Sequence, residues 1–351
     1  MSPGRDRIRI EAVAVKDLEA FAAGLPGDPA YRDTVPITRL RAASQAANPH
    51  ADAEDPALML AHAGGRCVGF HGLLPGLLEG RAGRSKLLWL ITFYVDPAWR
   101  SRGVGRALVH AIMERGADLA TTGITAGAEG VYRACGFRDL GELAFWQWRG
   151  AGLPRAALAV LHAAARLAAG PRAGGRRRPG PFGEGPPRLA AGGARAPRFH
   201  RGRETADWMM SRPWVVSAAD ARPDVQGYHF SRVRERFAFI PMQAPGGDFL
   251  LSASRHRGRA QVKVLDLFFE RPEWAAAVLP AALAAAQRFA ADRVDFPAGL
   301  PRLPALPSWY RRRIKARRRL TLYRPARPDS PLAAAAGELL LDYCDGDTAF
   351  T

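Results

Sequence analysis

Apolar and polar residues alternate over residues 7–15, which predicts a short strand, and Leu18, Phe21, Ala22 and Leu25 then recur at the spacing of one helical face. Residues 29–55 are polar and broken, and predict a helix among loops. Two apolar runs, 57–62 and 67–74, flank Ala63, Gly64, Gly65 and Arg66 and predict a hairpin. Residues 86–95 form a strongly apolar run stopped by Asp96 and Pro97, and 105–119 carries Leu108, Val109 and Ile112 on one helical face. Strands and helices mixed in this way predict an α/β (α+β) domain over residues 1–150.

An Ala/Leu-rich helix is expected over 154–169. Residues 171–203 follow, rich in Gly, Pro and Arg with almost no large apolar side chains, a composition that cannot offset the entropy of ordering and predicts a linker within 151–203. From 204 to 351 the earlier order returns: apolar runs at 237–244 and 249–254 around Gly246 and Gly247, a third at 262–269, then a helix over 274–291. Tyr132, between Val131 and Arg133, is echoed by Tyr310 between Trp309 and Arg311. The repetition predicts two copies of one fold.

Composition narrows the function classes. The chain has 351 residues and three cysteines, Cys67, Cys135 and Cys344, without metal-ligand spacing, so a disulfide framework or structural zinc is not expected and a reduced, cytoplasmic setting is. Neither apolar stretch, 151–170 or 275–286, meets the length and polarity of a bilayer span, and residues 1–7 lack the apolar segment of a secretory signal. The net charge of +18 suggests a polyanion partner until it is localised. Residues 1–150 hold 18 basic and 16 acidic side chains, leaving 33 and 17 for the remainder. The excess concentrates in the linker and in Arg311, Arg312, Arg313, Lys315, Arg317, Arg318 and Arg319, where an anionic partner could bind.

The candidate chemistry lies after the apolar run 86–95. Arg100, Ser101, Arg102, Gly103, Val104, Gly105 and Arg106 form a basic, glycine-containing turn opening a helix. Glycines admit a ligand close to the backbone, and the free N–H groups of a first helical turn favour phosphate. Two features of the dinucleotide fingerprint are missing, the third glycine and the βαβ unit with its acidic residue. Arg100, Gly103 and Gly105 instead fit Arg/Gln-x-x-Gly-x-Gly/Ala, and Tyr132, Gly136 and Phe137 fit Tyr-x-x-x-Gly-Phe. Together these motifs resemble the GCN5-related N-acetyltransferase (GNAT) superfamily over residues 5–149.

The resemblance implies a GNAT fold, a mixed, mostly antiparallel sheet flanked by helices, here in two tandem copies. It also implies direct acyl transfer from acetyl-CoA, or another acyl-CoA, to a primary amine of an unidentified acceptor, without a metal. In that scheme backbone groups of Phe93, Tyr94 and Val95 hold pantetheine and polarise the thioester, the turn Arg100–Arg106 holds the pyrophosphate, and Tyr132 protonates the departing thiolate. Two positions depart from the family pattern: Thr125 stands where many members have a cofactor-binding Asn, and Trp89 where some have a Glu base. His62, His71 and Glu129 are the base candidates that remain. The second copy lacks the cradle, its equivalent turn carrying Glu270 and Glu273 without glycine, and is expected to be degenerate and non-catalytic. Two alternatives stand beside this: aminoacyl-tRNA-dependent transfer, as in some tandem members, and a non-catalytic adaptor that binds polyanions.

Overall fold

A computed structural model describes residues 7–80, 83–150, 152–169, 176–177, 198–200, 202–217, 228–230, 233–244, 247–269, 272–297, 300, 303–336, 339, 341 and 346. The N-terminal pattern folds as its periodicity predicts. Strand β1 (Arg9–Ala14) pairs with β2 (Pro56–Ala63), and between them lie helices α1 (Leu18–Gly24) and α2 (Arg39–Ala46), capped by Thr38. Gly64 and Gly65, at φ 56° and 74°, make the hairpin turn from β2 to β3 (Arg66–Gly80), a conformation open chiefly to glycine.

Strand β3 pairs antiparallel with β4 (Gly83–Val95), and both run further than the apolar pattern predicts. The extension passes through Pro75 and Gly76, where a Cβ on Gly76 would stand 3.1 Å from the Trp89 ring. Helix α3 (Val104–Met113) buries Val104, Leu108, Val109 and Ile112, but stops short of the predicted residue 119. Gly116, at φ 68°, turns the chain, and Asp118–Thr122 becomes β5, parallel to β4. Helix α4 (Ala126–Ala134) and strand β6 (Arg138–Arg149) follow.

The described part of the linker is small, and most of residues 171–203 lies outside the described residues. Helix α5 (Arg155–Ala168) precedes it, and α6 (Arg203–Ser211) follows. Strands β7 (Arg236–Ala244), β8 (Gly247–His256) and β9 (Arg259–Phe269) form an antiparallel meander. Helix α7 (Val278–Phe289) leads to β10 (Arg293–Pro297), parallel to β9. After α8 (Ser308–Arg311), the basic run enters β11 (Ile314–Arg324), and α9 (Pro331–Ala335) comes last. The Glu270 turn expected to repel diphosphate falls on residues only partly described, Glu270 itself lying outside them.

These eleven strands lie in one sheet, with order β1-β2-β3-β4-β5-β11-β6-β10-β9-β8-β7, to which the two-residue strands Arg176–Arg177 and Arg198–Phe199 add against β7 and β3. The final strand of each half therefore sits against the penultimate strand of the other: β11 pairs with β5, and β6 with β10, all antiparallel. Strands β6 and β11 pair along the seam from Ile314 opposite Trp148 to Tyr323 opposite Arg138. One face carries α3 and α4 over the first half, and α5 and α7 over the second, around Trp148, Val262, Val264 and Phe296. The opposite face is covered by Phe199, Trp208, Met209, Trp214 and Leu332. Trp208 donates its indole N–H to the Ser44 carbonyl at 2.7 Å, and the Arg41 guanidinium lies 4.8 Å from the Trp214 ring, so residues 203–215 dock on the first half.

Candidate active site

The turn from β4 into α3 is built by three local devices. Asp96 accepts from the Ala98 N–H at 2.7 Å and stops the strand; Arg100 Nε donates back to the Val95 carbonyl at 3.2 Å. Ser101 and Gly103 take left-handed conformations, φ 61° and 86°, which aim the chain into the helix. Gly103 is the N-cap residue, and no side chain caps α3. The first-turn N–H groups are therefore left for a ligand, at the end of the helix that favours negative charge.

Beside this turn β4 parts from β5. Their pairing ends at Leu90 opposite Thr121, while β4 continues to Val95 against β3 alone. Thr92, at φ 37°, is an extra residue between the pairs Gly72–Ile91 and His71–Phe93. A side chain on Gly72 would collide with the Thr92 hydroxyl, its Cβ only 2.4 Å away. A bulge of this kind re-aims the strand and opens the gap.

A cleft of about 770 Å³ occupies that gap, lined by Phe93, Tyr94, Val95, Arg100, Ser101, Gly103, Val104, Gly105, Arg106 and Thr125. Ten sequence-predicted positions thus converge. Val104 is buried in the core, which leaves its backbone as its contribution. Arg102 is outside the lining and lies over the Trp99 ring at 5.1 Å. Thr125 borders the cleft, but its hydroxyl accepts from the Ala128 N–H at 3.3 Å as the α4 cap, so it is only partly free to replace an amide. Trp99, Gly127, Ala128, Gly130, Val131 and Ala134 complete the wall. The two glycines were a legible signal: each weakens a helix by about 1 kcal/mol relative to Ala, and a Cβ at either would face open space.

Tyr132 does not line the cleft. Its side chain is buried, and its hydroxyl donates to His71 Nε2 at 2.8 Å. The tautomer follows from the other nitrogen, since His71 Nδ1 faces the carbonyls of Ile91 at 3.0 Å and Gly72 at 3.1 Å and must carry the proton. Burial holds the His71 imidazole down at about 4 and pushes the Tyr132 phenol well above its ordinary value, so both are neutral near pH 7. The Phe93 ring stacks on His71 at 4.7 Å, stands 5.7 Å from the Tyr132 ring, and reaches to within 3.0 Å of a Cβ placed on Gly105. It separates the pair from the cleft. Trp89 is buried against Phe199 on the opposite face, Glu129 pairs with Arg133 at 3.2 Å, and His62 lies near Glu11. None of the three base candidates lines the cleft.

Residues 28–137 match the family model described as the acetyltransferase (GNAT) family. Residues 28–137 are a GNAT domain. Among solved structures, a GCN5-related N-acetyltransferase from Anabaena variabilis ATCC 29413 aligns at 10% identity over 92% of this chain and 73% of that one, with a TM-score of 0.50. Another from Kribbella flavida aligns at 15% identity, 90% and 71% coverage and TM-score 0.47; Eis1 from Mycobacterium abscessus does so at 15%, 91%, 74% and 0.47. The first of these supports the fold across both halves of the sheet. No curated protein matches the sequence. The GNAT family uses acyl-CoA, and the uncapped α3 start, the two arginines and the open β4–β5 gap fit a pyrophosphate with an extended arm.

The second half repeats the tyrosine and the strand divergence: the β9–β10 pairing ends at Lys263 opposite Asp295, and Leu265 is an extra residue between the pairs Leu251–Val264 and Leu250–Asp266. Tyr310 is buried, donates to His162 Nδ1 at 2.9 Å, and stacks on Trp148 at 4.9 Å. His162 comes from α5, and its Nε2 meets the Ala291 carbonyl at 2.8 Å. Helix α5 therefore covers the tyrosine of this half. Among the described residues no helix is long and apolar enough to cross a membrane, and no group of His, Cys, Asp or Glu could hold a metal.

Proposed function

We propose that the chain transfers an acyl group, in the first instance acetyl, from acyl-CoA directly to a primary amine in the first half. The observation that carries this is the cleft itself: an uncapped helix start and Arg100 and Arg106 at one end, and a strand bulged away from its neighbour at the other. Acyl-CoA, when bound, supplies the activated thioester carbonyl. The α3 N–H groups and the two arginines bind the pyrophosphate, and each charge-assisted hydrogen bond contributes about 1.5–3 kcal/mol. The backbone of Phe93 to Val95, unpaired toward β5, orients the arm.

Tyr132 holds the proton that the thiolate takes as the C–S bond breaks. Burial keeps that phenol protonated, and His71 Nε2 is its resident acceptor. Delivery requires the Phe93 ring to turn aside. No carboxylate or imidazole lines the cleft among the described residues, so the amine gives its proton to water. Residues 204–351 serve as a degenerate half, a reading supported by the α5 cover over Tyr310. Titration calorimetry with acetyl-CoA tests the proposal: the Gly103→Glu, Gly105→Glu double variant should lose binding while remaining folded, and unchanged binding would overturn it.

A further inference from the structure

Basic side chains from several strands converge on one face of the sheet, where the basic run borders arginines that are far from it in sequence. Because β11 is a strand, Lys315, Arg317 and Arg319 project from one face, opposite Gln147, Phe145 and Leu143 of β6. On the same face Arg149 is paired in register with Arg293 of β10, and Arg293 with Gln261 of β9. Below this stripe lies a second cleft of about 310 Å³, lined by Arg149, Arg234, Arg259, Arg293, Gln261 and Asp292, together with Gly152, Ser254, His256 and Ala260.

The charges in this cleft are unbalanced. Arg293 is engaged with the buried Asp295 at 2.6 Å. Asp292, the one lining carboxylate, spends an oxygen on the Ala260 N–H at 2.7 Å. Neither Arg149 nor Arg259 forms an ion pair among the described residues; Arg149 only donates to the Gln147 amide oxygen. Burial lowers the Arg149 pKa, and so does repulsion from Arg317, Arg293 and Arg259. The Nε of Arg317 is a buried donor without a partner. Asp295 is the carboxylate set against this group, and it is engaged by Arg293, which leaves Arg149 and Arg259 without an ion pair of their own.

We infer that this cleft binds a phosphate-bearing small molecule, a phosphate ester or diphosphate, through Arg149 and Arg259. Guanidinium forks on separate strands match the several oxygens of such a group, whereas one carboxylate would satisfy one arginine. The volume is that of a metabolite pocket. A nucleic-acid strand fits less well. Of the exposed tryptophans, Trp146 projects from the opposite face of β6, so its ring cannot stack bases here. The site is separate from the α3 cleft and does not rest on the acyl-transfer reading.

Pyrophosphate is titrated calorimetrically into the full chain carrying Gly103→Glu and Gly105→Glu, so that the α3 cleft is closed to phosphate. One site per chain is expected. Arg149→Ala and Arg259→Glu should each weaken it by about tenfold or more. Arg155→Ala, at the exposed start of α5, should not; Arg259 is exposed on a strand end, so that variant keeps the test open if Arg149→Ala misfolds. ADP and glucose 6-phosphate in parallel identify which carrier of the phosphate binds more tightly. No saturable binding, equal affinity in both arginine variants, or displacement of pyrophosphate by a single-stranded RNA 12-mer at lower concentration would each overturn the assignment.

Discussion

Acid should unfold this protein through His71 before its carboxylates are titrated. The imidazole is buried, its Nδ1 proton is committed to the Ile91 and Gly72 carbonyls, and its Nε2 receives the Tyr132 hydroxyl, so it has no room for a second proton. Its folded pKa, about 4, lies below the unfolded value near 6.5. Above about 6.5 neither state is protonated there and the contribution to stability is complete. As pH falls from 6.5 toward 4 the unfolded chain takes up a proton that the folded chain refuses, and stability declines by about 1.4 kcal/mol per pH unit, about 3 kcal/mol over the window. His71→Gln isolates this effect: the amide oxygen can accept from Tyr132, and the side chain does not titrate. Urea unfolding of both proteins from pH 7.5 to pH 4 should give a wild-type slope steeper by about 1.4 kcal/mol per pH unit below 6.5. The remaining acid slope, to which His50 contributes in the same direction, should be common to both. Parallel curves would show that His71 is protonated in the folded state and refute the tautomer assignment.

Tyr132→Phe should lower kcat for acetyl transfer by about 10²–10⁴ with little change in KM, the range for loss of a general acid. Unchanged kcat with a loss of stability alone would make the Tyr132–His71 bond a structural pin. Trp208→Ala should destabilise the chain by about 3–5 kcal/mol, because a buried ring and its hydrogen bond to Ser44 both disappear. A loss below about 1 kcal/mol in thermal unfolding would mean that α6 does not brace the first half.

The turn at Arg100–Arg106 was legible because its constraints are local: glycine where φ is positive, charge beside it, an apolar face following. Other features answer to distant residues. Leu119 continues the helical period past Met113, yet Gly116 ends the helix and the next residues are needed beside β4. His71 and Tyr132 are 61 positions apart, and only the fold shows that the histidine serves the tyrosine and not the cleft. A run of seven basic residues reads as solvated surface, whereas in β11 alternation sends Lys315, Arg317 and Arg319 to one side. Periodicity specifies which face a strand buries but not which strand lies next to it, so the placement of β11 between β5 and β6 had no sequence signature.

That placement bears on how the chain is made. A nascent chain released as far as residue 150 has β5 and β6 but not the strand that separates them, since β11 ends at Arg324. The first half cannot complete its sheet when residue 150 emerges; it must wait with two open edges until Arg324 has left the ribosome. Pairings of such long sequence separation slow folding and expose strand edges to other chains. The two halves therefore behave as one folding unit, and residues 1–150 are not a module that can be cut free.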